Sequence, residues 1–236
     1  MKLFAVFALF FGLAAAFVAN ALEVAVDVGH DLRKPGAVSA RGRNEYDFNR
    51  ELAGVLAPLL REHGLAVREI NFDGRIANLI ARPRAAEASN FFLSIHHDSI
   101  SESWLLPWLW EGVEQTHTEV KRGFGLFVSS HNPDLASTLR CASTMGAVLR
   151  RAGFTPTPWH GRKHVAADAE NGVWYYDNLV VLKNARQPAV LFEAGVIKHK
   201  EEELELRDPE RQARMADALA TGLAACLSVT EISVPE

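Results

Sequence analysis

Short runs of β-branched and aromatic residues alternate along this chain with longer stretches whose apolar residues recur at helical spacing. Glu23–Val28 is the first such run. In Asn44–His63, Phe48, Leu52, Val55, Leu56, Leu59 and Leu60 trace one helical stripe, which Gly64 stops. Ala66–Asn71 reads as a second strand, Arg75–Ser89 as a second helix and Asn90–His96 as a third strand. Strands separated by helix-length segments cannot close as tight hairpins and need crossovers. The β-α-β-α-β order therefore predicts an α/β fold with a mainly parallel sheet flanked by helices.

The pattern breaks between Ser99 and Arg122, where Trp104, Leu105, Leu106, Pro107, Trp108, Leu109 and Trp110 crowd together without a clear strand or helix period. Three roles remain open for this segment: a buried flap, a lid or substrate-contacting surface, or a membrane or partner contact. Phe124–Ser129 then reads as a strand, Pro133–Ala152 as a long helix, and Gly153–Tyr176 as a polar loop rich in His and Trp. Leu179–Leu182 and Ala189–Glu193 read as the last strands and Asp208–Leu227 as the closing helix. No internal repeat, low-complexity tract or linker divides the chain, so a single domain is expected.

The start has a different character. Met1-Lys2, an apolar run over residues 3–18 and Ala19-Asn20-Ala21 form the charged start, hydrophobic stretch and small-x-small site of a secretory signal peptide. The expected division is a signal peptide over 1–21, a catalytic domain over 22–230 and a tail over 231–236. The product is expected to be exported, to the periplasm or the extracellular space, with no transmembrane span in the mature chain. The chain carries 25 Lys and Arg against 29 Asp and Glu, and losing Lys2 with the leader makes the mature protein slightly more acidic. That balance argues against a nucleic-acid partner, which would require a basic face. Cys141 and Cys226 both remain after export. Each lies on an apolar helical stripe, where a disulfide and a pair of free buried thiols are both admissible.

Chemistry concentrates at four positions. Glu45 shares the inward stripe of its helix with Phe48, Leu52 and Leu56, and a carboxylate there needs a partner beyond the favourable helix dipole. His30 and His96 each follow a strand-like run, Val24–Val28 and Phe91–Ile95. In a parallel sheet, side chains just past the carboxyl ends of strands converge on one crevice. Two imidazoles and a carboxylate are a common catalytic zinc set that leaves a fourth position open. His97 alternates to the other face of its strand and is expected to pack or to support a ligand. Glu193 ends the apolar run Ala189–Phe192 and supplies the carboxylate that a zinc hydrolase needs as its base. His63, His117, His131, His160, His164 and His199 lack ligand context, and most are expected on the surface or in loops.

These residues sit within longer motifs: Val26-Asp27-Val28-Gly29-His30, Pro35-Gly36-Ala37, Asn44-Glu45 leading into Asn49 and Leu52, Ser94-Ile95-His96, and Pro188 to Gly195 followed by Glu201-Glu202-Glu203-Leu204. Taken in this order, they resemble the zinc-dependent N-acetylmuramoyl-L-alanine amidases of the type 3 family over roughly Val24 to Leu227. The resemblance implies zinc ligation by His30, Glu45 and His96, catalysis by Glu193, and a peptidoglycan or muropeptide substrate cut at the amide between N-acetylmuramic acid and L-alanine. The chain departs from the family pattern at Asp31-Leu32-Arg33-Lys34, where a glycine pair is usual, and at His97-Asp98, where a small residue and asparagine are usual. Both departures bear on substrate detail more than on metal binding. With no cell-wall targeting domain evident, recruitment is expected to depend on an activator or recruitment protein.

Two rival readings stand beside this one. A zinc peptidase of the stem peptide, or another exported amide hydrolase, would use the same four residues on a different bond. A non-catalytic cell-wall binding or regulatory protein would keep the fold without turnover, and the presence of all four chemical residues counts against it.

Overall fold

In the computed structural model, which describes residues 21–228, strands and helices follow one another as β1 (Glu23–Val28), α1 (Glu45–Glu62), β2 (Ala66–Ile70), α2 (Ala81–Ala85) and β3 (Phe91–Asp98). They continue as β4 (Leu106–Trp110), β5 (Val113–His117), β6 (Gly125–Val128), α3 (Leu135–Arg151), β7 (Ala166–Asp168) and β8 (Val173–Tyr175). The chain closes with α4 (Val180–Lys183), β9 (Ala189–Val196), α5 (Glu202–Leu206) and α6 (Pro209–Ser228). Nearly all of the expected signal peptide and the whole expected tail, 231–236, lie outside the described residues. Among the described residues, no helix is long and apolar enough to cross a membrane.

The main sheet has seven strands in the order β2-β1-β3-β9-β6-β8-β7. Pairing is parallel from β2 through β1 and β3 to β9, antiparallel between β9 and β6, parallel between β6 and β8, and antiparallel at the β7 edge. The expected mainly parallel sheet is therefore present, and its four parallel neighbours bring the carboxyl ends of β1, β3 and β9 to one side.

Alternation along each strand divides the core in two. Val24, Val26 and Val28 of β1, with Phe91, Leu93 and Ile95 of β3, pack under α1, α3 and α6. Ala25 and Phe92 point the other way, into a smaller core with Val181, Leu182 and Ala185. The period of two thus fixes the face of every later residue in β3, so that His97 falls on the side of Ile95 and His96 on the side of Phe92.

Four expectations need correction. The helix expected over Arg75–Ser89 shrinks to Ala81–Ala85. Pro83 has no N–H to donate within a longer helix, and Ile76 is engaged elsewhere, its amide donating to Asn71 Oδ1 and its carbonyl accepting from Arg82 Nε. Leu179–Leu182, expected as a strand, is instead the helical turn α4, a run too short for periodicity to separate the two states. The polar loop 153–176 contains β7, β8 and a 3-10 turn over Pro158–Arg162. Strands of three residues show no readable alternation. Finally, the tryptophan-rich segment forms the β4–β5 hairpin, turned by Glu111 and Gly112, both at positive φ. Positive φ at both central residues matches a type I′ hairpin turn.

Cys141 of α3 and Cys226 of α6 form a disulfide with a Cα–Cα distance of 5.2 Å, resolving the alternative left open by sequence. It ties together two helices of the larger core across 85 residues of chain. Constraining the unfolded chain in this way typically contributes about 2–4 kcal/mol. Replacing both cysteines with alanine is expected to lower the unfolding free energy by about that amount, measured by denaturant titration of the oxidised protein. A thiol titre that finds two free cysteines in the folded protein would contradict the bridge.

Candidate metal centre and active site

The site begins where β1 ends. Gly29 donates its amide to the Ile95 carbonyl and packs so close to the His96 ring that a Cβ at this position would clash with it. His30 then adopts a left-handed backbone, with φ of 66°. That conformation disfavours a non-glycine residue by roughly 1–2 kcal/mol, and here it is held from outside. Asn71 Nδ2 donates to the carbonyls of both Val28 (2.7 Å) and His30 (2.6 Å), and the Arg82 guanidinium donates to the His30 carbonyl as well.

Arg82 is 1% exposed and is the largest fully buried side chain among the described residues. Its guanidinium lies 3.9 Å from the buried Asp27 carboxylate, which also accepts from Ser94 Oγ at 2.7 Å. Burial pushes the Asp27 carboxyl up to about 7, against the opposing pull of Arg82, Ser94 and His30. This support is not legible in the sequence. Arg82 and Arg84 alternate in the same short turn, and arginines are ordinarily exposed, so nothing local marks Arg82 as the one that turns inward.

Glu45, 5% exposed, enters from the first turn of α1. Its amide donates to the Ala37 carbonyl, and its Oε2 accepts from the Ala37 amide at 3.1 Å. Gly36, at φ of 82°, lets the loop pass, since a Cβ there would sit 2.5 Å from Glu45 Oε2 and 2.7 Å from the His30 ring. His30 Nε2 lies 2.9 Å from Oε2 and His96 Nδ1 lies 3.1 Å from Oε1. One ligand atom from each of His30, Glu45 and His96 falls within 4.8 Å of the others.

The electrostatics suit a cation. Burial opposes the Glu45 charge, but the hydrogen bonds and charges of His30 and His96 prevail and hold its carboxyl well below the usual range. Burial lowers the His96 pKa despite the pull of Glu45, which favours the neutral imidazole that ligates metals. Two nitrogens and one carboxylate oxygen, gathered where two glycines leave no room for a Cβ, fit a zinc ion in donor type and in number.

His97 is buried on the opposite face, as expected. Burial pushes its pKa down to about 3. Its Nδ1 lies 2.8 Å from Asn49 Oδ1, and Asn49 Nδ2 in turn reaches Glu45 Oε1 at 3.3 Å and the Gly29 carbonyl at 3.2 Å. His97 therefore bears on Glu45 through Asn49.

Glu193 lies opposite His96 in the β3–β9 register, with Oε2 buried and without a hydrogen-bond partner. Burial, with the nearby charges of Asp98 and Glu45, raises its pKa well above the ordinary carboxylate value, and Lys121 only partly offsets this. It borders a cavity of about 460 Å³ shared with Asp98, Lys121, His160 and Trp104. Lys121 bonds Asp98 and also donates to the Ser99 carbonyl at 2.8 Å. His160 and His164 both line this cavity, although the sequence placed most of the remaining histidines on the surface or in loops. His117, His160 and His199 are buried. A slightly larger cavity, about 530 Å³, lies by Phe154 and Arg211 and contains none of the four residues.

The tryptophans divide. Trp104 faces the Glu193 cavity, whereas Trp108 and Trp110 stack at 5.3 Å with the Arg41 guanidinium over both rings. Trp108 Nε1 also donates to the Ala40 carbonyl at 2.9 Å, so this pair fastens the hairpin to the loop before α1.

A protein family described as N-acetylmuramoyl-L-alanine amidase matches residues 24–225. Among solved structures, an N-acetylmuramoyl-L-alanine amidase from Clostridium difficile 630 is similar at a TM-score of 0.71 and 20% identity, over 92% of this chain and 100% of that one. The catalytic domain of CwlV, an amidase from Bacillus (Paenibacillus) polymyxa var. colistinus, is similar at 0.68 and 25% identity, over 88% and 99%. The CwlD amidase from Clostridioides difficile, solved in complex with the GerS lipoprotein, is similar at 0.66 and 20% identity, over 88% and 99%. No curated protein matches the chain by sequence.

The support under His30 makes a testable claim. Arg82→Met would leave Asp27 and the His30 carbonyl without the guanidinium, and breaking a buried pair typically costs about 3–5 kcal/mol. Arg82→Lys is expected to recover little of this loss, because one ammonium cannot reproduce the fork that reaches both the His30 and Ile76 carbonyls. Chemical denaturation of both variants checks this, and wild-type stability in either would remove Arg82 from its role.

Proposed function

This chain belongs to the N-acetylmuramoyl-L-alanine amidase family, and from that premise we propose that it hydrolyses the amide between N-acetylmuramic acid and L-alanine of peptidoglycan in a zinc-dependent reaction. His30, Glu45 and His96 are the proposed metal ligands and Glu193 the proposed catalytic acid and base. The observation that carries this reading is the convergence of two imidazoles and a buried carboxylate within 4.8 Å at the carboxyl ends of β1 and β3.

His30, Glu45 and His96 would hold a zinc ion, which would supply Lewis acidity for the carbonyl and for the attacking water. Every other task falls to the chain. Glu193 Oε2, buried and unpartnered, is available to accept a proton from the attacking water. Passing that proton to the departing alanine nitrogen returns Glu193 to its basic form. Glu45 stays ionised between its two imidazoles, and Asn49 and the Ala37 amide fix its orientation. Lys121 pairs with Asp98 beside Glu193 and so sets a cation against that carboxylate.

The proposal extends to the rest of the chain: residues 1–21 as a cleaved leader, 22–230 as the catalytic domain and 231–236 as a tail, in a protein exported to the periplasm or beyond. A separate activator or recruitment protein is part of this reading, supported by the capture of the similar CwlD amidase with the GerS lipoprotein.

Glu193→Gln is nearly isosteric and cannot accept the proton. It is expected to retain fold and bound zinc while losing about 10²–10⁴-fold or more in turnover, measured on purified sacculi with elemental analysis of the same sample. Chelation of the wild-type enzyme should abolish activity and zinc should restore it. Mass analysis of the products should find intact stem peptides with a free L-alanine amine. Stem peptides cut internally would point instead to a peptidase.

A further inference from the structure

The cavity beside Glu193 has a second wall that the catalytic residues do not use. Trp104, from a 3-10 turn over Glu102–Trp104, meets Trp159, from the 3-10 turn over Pro158–Arg162, edge to face at 5.1 Å. The Arg162 guanidinium lies 4.1 Å from the centre of the Trp159 ring and 5.6 Å from that of Trp104. Trp159 is pinned by its Nε1 donating to the Val120 carbonyl at 2.9 Å, and Lys163 Nζ donates to Ser101 Oγ at 3.2 Å. Two segments far apart in sequence are thus clasped across one rim.

The charge pattern on this rim is polar in one direction. Asp98 and Glu193 lie deeper in the cavity and Lys121 is bound to Asp98, whereas Arg162 and Lys163 have no carboxylate within ion-pair distance among the described residues. At the inner end Lys121 is already taken up by Asp98, whereas Arg162 and Lys163 are left to attract an anion, so a ligand bridging the cavity would carry its negative charge beside Arg162 and Lys163. The aromatic faces of Trp104, 45% exposed, and Trp159 offer an apolar surface between these points.

We propose that Arg162 and Lys163, with the Trp104–Trp159 wall, form a specificity subsite for the stem peptide, binding the carboxylate of the residue that follows L-alanine. The inference rests on the hydrolytic reading given above. On the sugar side, the lactyl carboxyl is consumed in the scissile amide and the N-acetylated sugars are neutral. The free carboxylates of the substrate therefore lie on the peptide side. Arg162, planar and held over an indole, is suited to receive a carboxylate through two parallel N–H bonds.

The test compares two N-acetylmuramoyl tripeptides, L-alanyl-γ-D-glutamyl-L-lysine with the glutamyl α-carboxylate either free or amidated. Wild-type enzyme is expected to favour the acid in kcat/KM. In the R162Q/K163Q double variant the acid-to-amide ratio should fall about tenfold, the size expected for losing a charge-assisted contact, whatever loss is common to both substrates. An unchanged ratio overturns the subsite, including the case where both rates fall together because the wall serves a sugar. Calorimetric binding of the free tripeptide acid to wild type and to the double variant judges the subsite independently of turnover. If wild type cleaves neither substrate, the hydrolytic reading fails. The subsite then stands only if the peptide binds wild type in a salt-sensitive manner and binds the double variant about tenfold more weakly, and equal or absent binding overturns it.

Discussion

A carboxylate buried in the first turn of a helix is the constraint on which this structure turns. Glu45 sits on the apolar stripe of α1, and burial alone would drive its proton on. It stays charged because His30 and His96 arrive from two different strands to meet its two oxygens. Each arrival imposes a further demand. Gly29 must lack a Cβ for the His96 ring, Gly36 must lack one for Glu45 and His30, and His30 must accept a left-handed backbone. Asn71 and Arg82 hold that backbone, and Arg82 also faces the buried Asp27 of β1. A charge at the crevice is thus supported by a chain of contacts reaching to the far face of the sheet.

The sheet assigns roles by parity. On β3, His96 shares a face with Ser94, which binds Asp27, and His97 shares one with Ile95, under α1. Two identical side chains, adjacent in sequence, therefore serve different ends. One meets Glu45 directly, and the other orients Asn49, which then meets Glu45. Because β9 pairs in parallel with β3, the register brings Glu193 beside His96 on the same side. An antiparallel partner at this position would run in the opposite direction and present its amino end to the crevice. The antiparallel switch instead occurs one strand further on, between β9 and β6.

The segment between β3 and β6 has two jobs that its composition does not separate. Its hairpin is clamped at Trp108 and Trp110 by Arg41, so the aromatic residues there are structural cover. Trp104, at its start, instead meets Trp159 and borders the cavity. Asp98 and Lys121 bracket the segment at its two ends, and their buried pairing holds both ends beside Glu193. The loop 153–176 completes the enclosure, its His160 packing on Phe127 at 4.6 Å and lying 3.3 Å from Asp98.

Much of this was legible in the residues themselves. The order of strands and helices through β3, the inward stripe of α1, and the gathering of His30, Glu45 and His96 follow from local periodicity and from the rule that parallel strands end at one crevice. Those signals are repeated along a segment, so they survive without knowledge of the partners. What only the tertiary structure decided is each matter of pairing over distance: that Cys141 meets Cys226, that β9 enters between β3 and β6, that Arg82 turns inward under His30, and that Trp104 and Trp159 close one rim. Three-residue strands such as β7 and β8 carry no period to read, and Leu179–Leu182 reads as a strand because four apolar residues fit either state, whereas the chain forms the helical turn Val180–Lys183 there. Periodicity tells a residue which way it faces, but only the packed chain determines what it faces.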